Sequence, residues 1–164
     1  NRVPFRKFYD SNWGVHPESP DEDDAEQLAR IAHGGQTDKS GTDYIEHPLR
    51  VANAFGDTEA RIVALLHDAL EDTWVTREYL KRSGYSEEII IAIEALTKLP
   101  NEEDSDEGYE KFIRRAAQNP LALRVKIADL KDNMDLSRIP TPDAKDHARI
   151  AKYQKAMKFL EKIK

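Results

Sequence analysis

The sequence contains no cysteine, and none of its apolar runs approaches the length of a membrane-spanning helix. Without cysteine, disulfide bonds and thiolate metal sites are both excluded, so any metal ion must be held by nitrogen and oxygen atoms. A spanning helix needs about 20 consecutive, mostly apolar residues. We therefore expect a cytoplasmic protein that does not contact the membrane.

An excess of positive charge is also lacking: 31 Asp and Glu residues outnumber 25 Lys and Arg residues, for a formal net charge of -6. Nucleic-acid binding depends on neutralising backbone phosphates, so this balance argues against a nucleic-acid partner. A local basic pocket could still bind a small anion. The 164 residues suit one domain. We expect an N-terminal arm at residues 1–20 and the domain at residues 21–164, with the oligomeric state left open.

Strand-like alternation of polar and apolar residues is lacking too, and helical periodicity runs through the sequence from Asp21 onward. The pattern predicts an all-α bundle of about eight helices, at residues 22–33, 47–55, 58–71, 76–82, 86–98, 107–118, 120–138 and 142–162. Thr58, Ser86 and the Asn-Pro and Thr-Pro pairs at 119–120 and 141–142 are typical of helix starts. The acidic stretch 101–107 is predicted to be a solvated loop.

The most informative motif is His67-Asp68, followed by Glu71-Asp72, at the end of an apolar helix. Because a helix repeats every 3.6 residues, His67 and Glu71 should share one stripe of the helix, and Asp68 and Asp72 the next. The alternative interpretation is a set of solvated helix-end charges. The apolar neighbours argue against it, because carboxylates without a partner are costly to bury.

A second histidine, His47, stands at the start of another predicted helix, and Asp129 lies alone inside the apolar run 125–129. With His67 and Asp68, these residues supply two imidazoles and two carboxylates. This donor set favours a divalent metal with open positions for water, because a structural zinc normally fills its four positions with protein ligands. The sequence therefore predicts one metal site built from three separated segments.

Four segments, at residues 33–41, 44–48, 67–73 and 126–129, together with Asn133, resemble the HD-domain hydrolases of the RelA/SpoT type. The free-standing members of that family are small alarmone hydrolases. The resemblance covers about residues 25–160 and implies a compact HD-domain helical bundle. It also implies that His47, His67, Asp68 and Asp129 hold one divalent metal ion, commonly manganese; iron(II) and cobalt(II) suit the same ligands.

The resemblance further assigns Glu71 and Asp72 to the reaction step, where they could orient the attacking water, relay its proton or protonate the leaving oxygen. It implies a substrate-binding set whose members are polar or aromatic: Lys39, Asn133, Arg138, Arg149 and Tyr153. The alternatives for this set are solvated surface side chains and, for Tyr153, a core aromatic.

One position departs from the family pattern. The residue before Lys39 is usually an arginine that stacks on the guanine base, and here it is Asp38. A carboxylate cannot make a cation–π contact and repels a nearby phosphate. The identity of the base is therefore open.

The resemblance implies a metal-dependent phosphohydrolase that removes the 3′-pyrophosphate from (p)ppGpp or a related alarmone nucleotide. One alternative is an HD-superfamily nucleotide phosphatase that acts on a dNTP, a nucleoside monophosphate or NADPH. A second alternative is a non-catalytic nucleotide-binding or toxin-neutralising module. The intact pair Glu71 and Asp72 argues against the second, because crowded carboxylates beside a metal are costly to keep without a use.

Overall fold

The computed structural model describes residues 19–103 and 105–163, and within them the fold is all-α, as predicted. Residues 1–18 of the predicted N-terminal arm lie outside the described residues. The α-helices in the described part are α1 (Glu22–Ala32), α2 (Glu46–Ala52), α3 (Thr58–Leu66), α4 (Ala69–Asp72), α5 (Arg77–Arg82), α6 (Glu87–Ala95), α7 (Asp106–Ala116), α8 (Pro120–Asn133) and α9 (Ala144–Ile163). The described residues also form two 3-10 turns, Pro100–Glu102 and Leu136–Arg138, and one isolated β-bridge, between Thr37 and Asp43.

Two of the four predicted helix starts are confirmed. The side chains of Ser86 and Asn119 accept hydrogen bonds from the backbone N–H groups of the first turns of α6 and α8. The other two predictions were wrong by one and two residues. Asp57 rather than Thr58 caps α3, and Asp143 rather than Thr141 accepts from the first turn of α9. A carboxylate at these positions also interacts favourably with the positive end of the helix dipole.

The predicted helix over residues 58–71 is interrupted at the His67-Asp68 motif. α3 ends at Leu66 and α4 begins at Ala69, so that both motif residues lie in the turn between them. One local and one tertiary contact hold this turn. His67 Nδ1 lies 2.6 Å from the carbonyl oxygen of Ala64, three residues earlier, and Asp68 accepts a hydrogen bond from the Tyr44 hydroxyl. The prediction that His67 and Glu71 share one helical stripe was therefore wrong.

The acidic stretch after α6 was predicted to be a solvated loop, and this was wrong at Glu102. Glu102 is buried in the first 3-10 turn, where its carboxylate receives a two-point ion pair from Arg115 of α7 at 2.7 and 2.8 Å. A buried carboxylate is stable only when such a partner is present. The pair therefore fastens the stretch to α7.

The hydrophobic core has two parts that meet at α8. The larger part lies between α1, α2, α3 and α6, and the smaller part lies between α7, α8 and α9. α8 supplies Val125 to the larger part and Ile127 and Leu130 to the smaller part. Asp129 thus sits on the helix that joins the two halves of the core, facing the end of α3.

No helix in the described part of the chain combines the length and the apolarity that crossing a bilayer requires.

The close approach of α7 to the 3-10 turn gives a prediction about Gly108. A Cβ atom added at Gly108 would lie 2.7 Å from the Glu102 carbonyl carbon and 2.8 Å from its oxygen, both backbone atoms. We expect Gly108→Ala to lower the free energy of unfolding by about 1 to 3 kcal/mol, the usual cost of overpacking, despite alanine's higher helix propensity.

Urea denaturation measures this change, and Gly56→Ala is the matched control, because a Cβ at Gly56 meets nothing within 4 Å. Equal stabilities of the two variants would contradict the packing described here.

Candidate metal centre

Three buried side chains from separate segments converge on one point. His47 comes from α2, His67 from the turn after α3, and Asp129 from α8, and their nearest ligand atoms all lie within 4.8 Å of one another. Nε2 of His47 is 2.9 Å from Oδ1 of Asp129, and Nε2 of His67 is 3.3 Å from the same oxygen. Such separations are those of neighbouring donor atoms around a single ion at about 2.0 to 2.2 Å.

Asp68, the fourth of the predicted ligands, lies beside this group. Its Oδ2 is 3.1 Å from Nε2 of His67 and 4.0 Å from Nε2 of His47. Asp68 is only partly buried, unlike the other three. The four predicted ligands are therefore brought together, with Asp68 at the more open side of the group.

The hydrogen bonds of the two imidazoles fix the direction of their lone pairs. His67 Nδ1 contacts the carbonyl oxygen of Ala64 at 2.6 Å, and His47 Nδ1 contacts Oδ2 of Asp132 at 2.6 Å. A carbonyl and an ionised carboxylate only accept, so each Nδ1 must carry a hydrogen. In the neutral rings both Nε2 atoms then present lone pairs to the same space, as in histidine ligands oriented by an outer partner.

The surroundings of His67 Nε2 suit a cation. This nitrogen is fully buried and forms no hydrogen bond with any residue that the structure describes, although carboxylate oxygens of Asp68 and Asp129 lie 3.1 and 3.3 Å away. Burial lowers the pKa of His67, but the two carboxylates outweigh it and raise that pKa well above its usual value. The surroundings therefore favour a positive charge at this point, which a proton or a metal ion can supply.

A buried lysine, which the sequence analysis did not select, balances the Asp129 carboxylate. Nζ of Lys126 lies 2.8 Å from Oδ2 of Asp129, one turn earlier on α8. Burial raises the pKa of Asp129, but Lys126 and His67 outweigh it and hold that pKa well below its usual value. Asp129 thus remains ionised inside the core, with Oδ2 paired to Lys126 and Oδ1 facing the two histidines.

Two further residues of the site were missed. Asp132 accepts from His47 and forms a two-point pair with Arg50 at 2.8 and 3.1 Å, and Tyr44 donates to Asp68. The sequence did contain a signal for Asp132 and for Lys126. Each stands three residues from Asp129, a spacing that places side chains on one helix face. Tyr44 stands three residues before His47 at the entrance to α2.

The two predicted catalytic carboxylates lie on the short helix α4, at the exposed edge of the centre. Oε1 of Glu71 accepts from the backbone N–H of Lys98 at 2.8 Å, so this side chain points toward the end of α6. Asp72 is positioned by Gln36, whose Nε2 donates to the Asp72 carbonyl at 2.8 Å. Burial of its carboxyl, with added repulsion from Asp68 and Glu71, raises the pKa of Asp72 to about 6.

The predicted substrate-binding residues fall into separate groups. Nδ2 of Asn133 donates to Oδ1 of Asp129 at 3.0 Å, so Asn133 touches the centre itself. Arg138 pairs with Asp135 at 2.9 Å and lies 3.5 Å from Asp132, which connects it to His47. Tyr153 is partly buried against Tyr109 in the smaller core, with ring centroids 6.2 Å apart.

Lys39 and Arg149, the remaining two, come from distant parts of the chain and contact the same carboxylate. Nζ of Lys39 lies 2.7 Å and Nη2 of Arg149 lies 3.1 Å from Oδ1 of Asp146. Asp146 was not selected from the sequence, because no motif contains it.

Comparison with known proteins identifies the family. A model of the HD domain matches residues 25–154, most of the chain. The chain belongs to the HD-domain family. The family and the buried histidine and aspartate group together make this a divalent-metal site.

Relatives of this HD domain carry the name guanosine-3′,5′-bis(diphosphate) 3′-pyrophosphohydrolase. The relative from Aquifex aeolicus is 37% identical over 117 residues, which cover 67% of this chain and 17% of the relative. The relative from Haemophilus influenzae is 38% identical over 134 residues, which cover 76% of this chain and 20% of the relative. The HD domain therefore spans about a fifth of the length of these relatives.

A solved structure of a metazoan ortholog of SpoT, described as hydrolysing ppGpp, shares the fold of this HD domain. The two have a TM-score of 0.72 and 21% sequence identity, and the match covers 90% of this chain and 88% of the other. The likeness confirms the predicted helical HD fold.

The contact between His47 and Asp132 gives a prediction about the affinity of this HD domain for a divalent metal. Replacing Asp132 with asparagine keeps an oxygen that can accept from Nδ1 but removes the negative charge that makes the His47 imidazole more basic. We expect Asp132→Asn to weaken the affinity for Mn²⁺ by about 10-fold, at the lower end of the effect of outer-shell partners.

Calorimetric titration of the metal-free protein with Mn²⁺ measures this affinity. Asp135→Asn is the control, because Asp135 is exposed and contacts Ser137 and Arg138 rather than a histidine. An equal loss of affinity in both variants would show a general charge effect instead of the specific contact.

Proposed function

We propose that this HD domain is a metal-dependent phosphohydrolase that removes the 3′-pyrophosphate from (p)ppGpp or a related alarmone nucleotide. The observation that carries the proposal is the buried point at which two imidazole nitrogens and two carboxylates converge. The names of the relatives support the substrate class. We take residues 21–164 as the HD hydrolase domain.

We further propose that His47, His67, Asp68 and Asp129 hold the ion and that the ion is Mn²⁺, with Fe²⁺ and Co²⁺ as alternatives. Mixed imidazole and carboxylate ligands suit these metals better than Mg²⁺ or Ca²⁺, which prefer oxygen ligands alone. When bound, such a cation lowers the pKa of a coordinated water and polarises a phosphoryl oxygen.

Glu71 and Asp72 are our candidates for handling the attacking water and its proton. A pKa near 6 leaves the Asp72 carboxyl mostly ionised at neutral pH. Because this pKa is close to neutral pH, the carboxylate can accept a proton efficiently. Glu71 is anchored to the Lys98 N–H through one oxygen, and we assign it to orienting water with the other.

The substrate needs cations in addition to the metal, because a pyrophosphate group carries several negative charges. We assign phosphate binding to Lys39, Arg138 and Arg149, and contacts with the nucleoside to Asn133 and Tyr153. Asp38 supports a looser assignment of the base, since its carboxylate accepts from Ser40 and Thr42 within the loop and offers no stacking surface.

The products of the reaction test the proposed function. We expect the Mn-loaded protein to convert ppGpp to GDP and pyrophosphate, and ppApp to ADP and pyrophosphate, separated by ion-exchange chromatography. Orthophosphate or triphosphate from dNTPs, nucleoside monophosphates or NADPH would instead indicate the phosphatase alternative. Binding without turnover of any nucleotide would indicate the non-catalytic module.

The role of Glu71 is tested in the same assay with Glu71→Gln, which retains an oxygen to accept from Lys98. We expect kcat to fall by about 100-fold or more, the usual contribution of a positioned proton-handling group, with the bound metal retained. Glu59→Gln serves as the control, because Glu59 lies in the first turn of α3 and Glu71 lies on α4, beyond the other end of α3. Unchanged turnover in Glu71→Gln would remove this residue from the mechanism.

The raised pKa of Asp72 predicts a pH dependence. Its carboxyl accepts a proton only when ionised, so kcat should rise between pH 5 and pH 7 and then level, with any bound cation shifting the rise to lower pH. Asp72→Asn should be slow and should lack this rise. Persistence of the same rise in the variant would assign it to another group.

The same pKa fixes the direction of a stability effect. A carboxyl whose pKa is higher in the folded than in the unfolded state binds protons preferentially in the folded protein, so its ionisation destabilises the fold as pH rises toward 6. The melting temperature of Asp72→Asn relative to the parent protein should therefore be higher at pH 8 than at pH 4.

A further inference from the structure

The side chain of Asp146 is a buried carboxylate at the start of α9 with a cation from each of two segments. Its exposed fraction is 0%, and its Oδ1 contacts both Nζ of Lys39, at 2.7 Å, and Nη2 of Arg149, at 3.1 Å. Lys39 belongs to the loop between α1 and α2, and Arg149 lies one turn along α9. Because both nitrogens contact one oxygen atom, the two cations are held as close neighbours.

Asp146 is itself fixed by the helix that carries it. Its Oδ2 accepts from the backbone N–H of Asp143 at 2.9 Å, and the backbone N–H of Asp146 donates to Oδ1 of Asp143 at 2.9 Å. This reciprocal pair is a capping box, which satisfies two backbone donors at a helix start. The carboxylate therefore cannot swing away from the cations without breaking the first turn of α9.

The two cations, in contrast, face the solvent. The side chain of Lys39 is 47% exposed and that of Arg149 is 33% exposed. An ammonium has three donors and a guanidinium has five. Nζ of Lys39 contacts Asp146 and also lies 3.3 Å from Oδ2 of Asp143, whereas Arg149 contacts Asp146 through one nitrogen, so most donors of Arg149 and one donor of Lys39 stay available. Neighbouring cations with spare donors suit a phosphate group, whose several oxygens can accept from both at once.

We propose that Asp146 is a positioning residue that holds Lys39 and Arg149 together as a two-cation seat for one phosphate group of the nucleotide. This inference rests on the proposed function, because it takes the substrate to be a nucleotide polyphosphate. Asp146 touches neither the metal ligands nor the phosphate and acts through the two cations. Without its charge, Lys39 and Arg149 would repel each other, and the loop would be left with the longer contact between Lys39 and Asp143 at the start of α9.

The opposite role for Asp146 is a carboxylate that competes with the phosphate for the same cations. The two roles predict opposite changes when the carboxylate is removed. A positioning residue makes KM rise on removal, whereas a competing carboxylate makes KM fall. Burial and the capping box favour the first, because a competing group must leave when the substrate arrives.

The experiment compares Asp146→Ala and Asp146→Asn in the full chain. Asp146→Asn keeps an oxygen for the Asp143 N–H but lacks the charge, so the capping box can still form. We expect KM for ppGpp to rise by about 10-fold in both variants, with kcat changed less than about 2-fold, because the cations act in binding rather than in the chemical step.

Asp24→Asn is a matched control for the structural part of the effect. Asp24 occupies the same position in the capping box of α1, where its carboxylate accepts from the N–H of Asp21, and it is also buried. Both asparagine variants should lower the melting temperature by similar amounts. Only Asp146→Asn should raise KM.

A double-mutant cycle isolates the action through Lys39. In a Lys39→Met background, the further change Asp146→Ala should raise KM by much less than it does alone, since the cation it positions is gone. An unchanged or lower KM in Asp146→Asn, or an equal effect in both backgrounds, would overturn the proposal. Failure of Asp146→Asn to fold would do so as well, by making the residue purely structural.

A second readout separates this inference from the proposed function. Binding of inorganic pyrophosphate to the metal-free protein, measured by calorimetry, requires no turnover. If the parent protein hydrolyses no alarmone, the proposed function fails, while weaker pyrophosphate binding in Asp146→Asn than in Asp24→Asn still supports the seat. If the parent protein hydrolyses ppGpp and the variants bind and turn over equally, the seat fails alone.

Discussion

The structure depends on the way His67 is held between a carbonyl and two carboxylates. Nδ1 faces the Ala64 carbonyl oxygen, so the other ring nitrogen, Nε2, faces the carboxylates of Asp68 and Asp129. In the neutral ring Nε2 is itself an acceptor and therefore cannot donate to either carboxylate. Such an arrangement is stable in the core only around a positive charge. α3 ends at Leu66, directly before this histidine.

The carboxylates around the two histidines are themselves paired with cations. Asp129 pairs with buried Lys126 on one side, and Asp132 pairs with Arg50 on the other, so that each histidine faces a carboxylate whose own charge is already compensated. The contacts tie α2 and the α3–α4 turn to α8, the helix shared by the two halves of the core. Forming the metal site and joining the core are thus parts of one packing arrangement.

The sequence pattern predicted the helical fold correctly, and the motifs selected four residues that the structure brings close together, because side chains of this chemistry in apolar runs have few other uses. Local periodicity failed where tertiary contacts decide: it continued the helix through His67, and it made a loop of the segment in which Glu102 meets Arg115. The spacing of three residues from Asp129 points to Lys126, but no pattern in the sequence points to Asp146, since a charged residue on a helix is ordinary until its partner is known. The partner of Asp146 lies 107 positions away, at Lys39.

The departure at Asp38 has a physical explanation in the same loop. Its carboxylate accepts from the backbone N–H groups of Ser40 and Thr42 at 2.9 and 3.0 Å, and these bonds close the turn from which Lys39 extends toward α9. Burial raises the pKa of Asp38, but the hydrogen bonds from Ser40 and Thr42 outweigh it and lower that pKa, so the group is ionised and engaged. Asp38 holds the turn of the loop, and Asp146 accepts a hydrogen bond from Lys39 of that loop. The hydrogen bonds of Asp38 therefore explain why a carboxylate suits this position, since they hold the loop that presents Lys39 to Asp146.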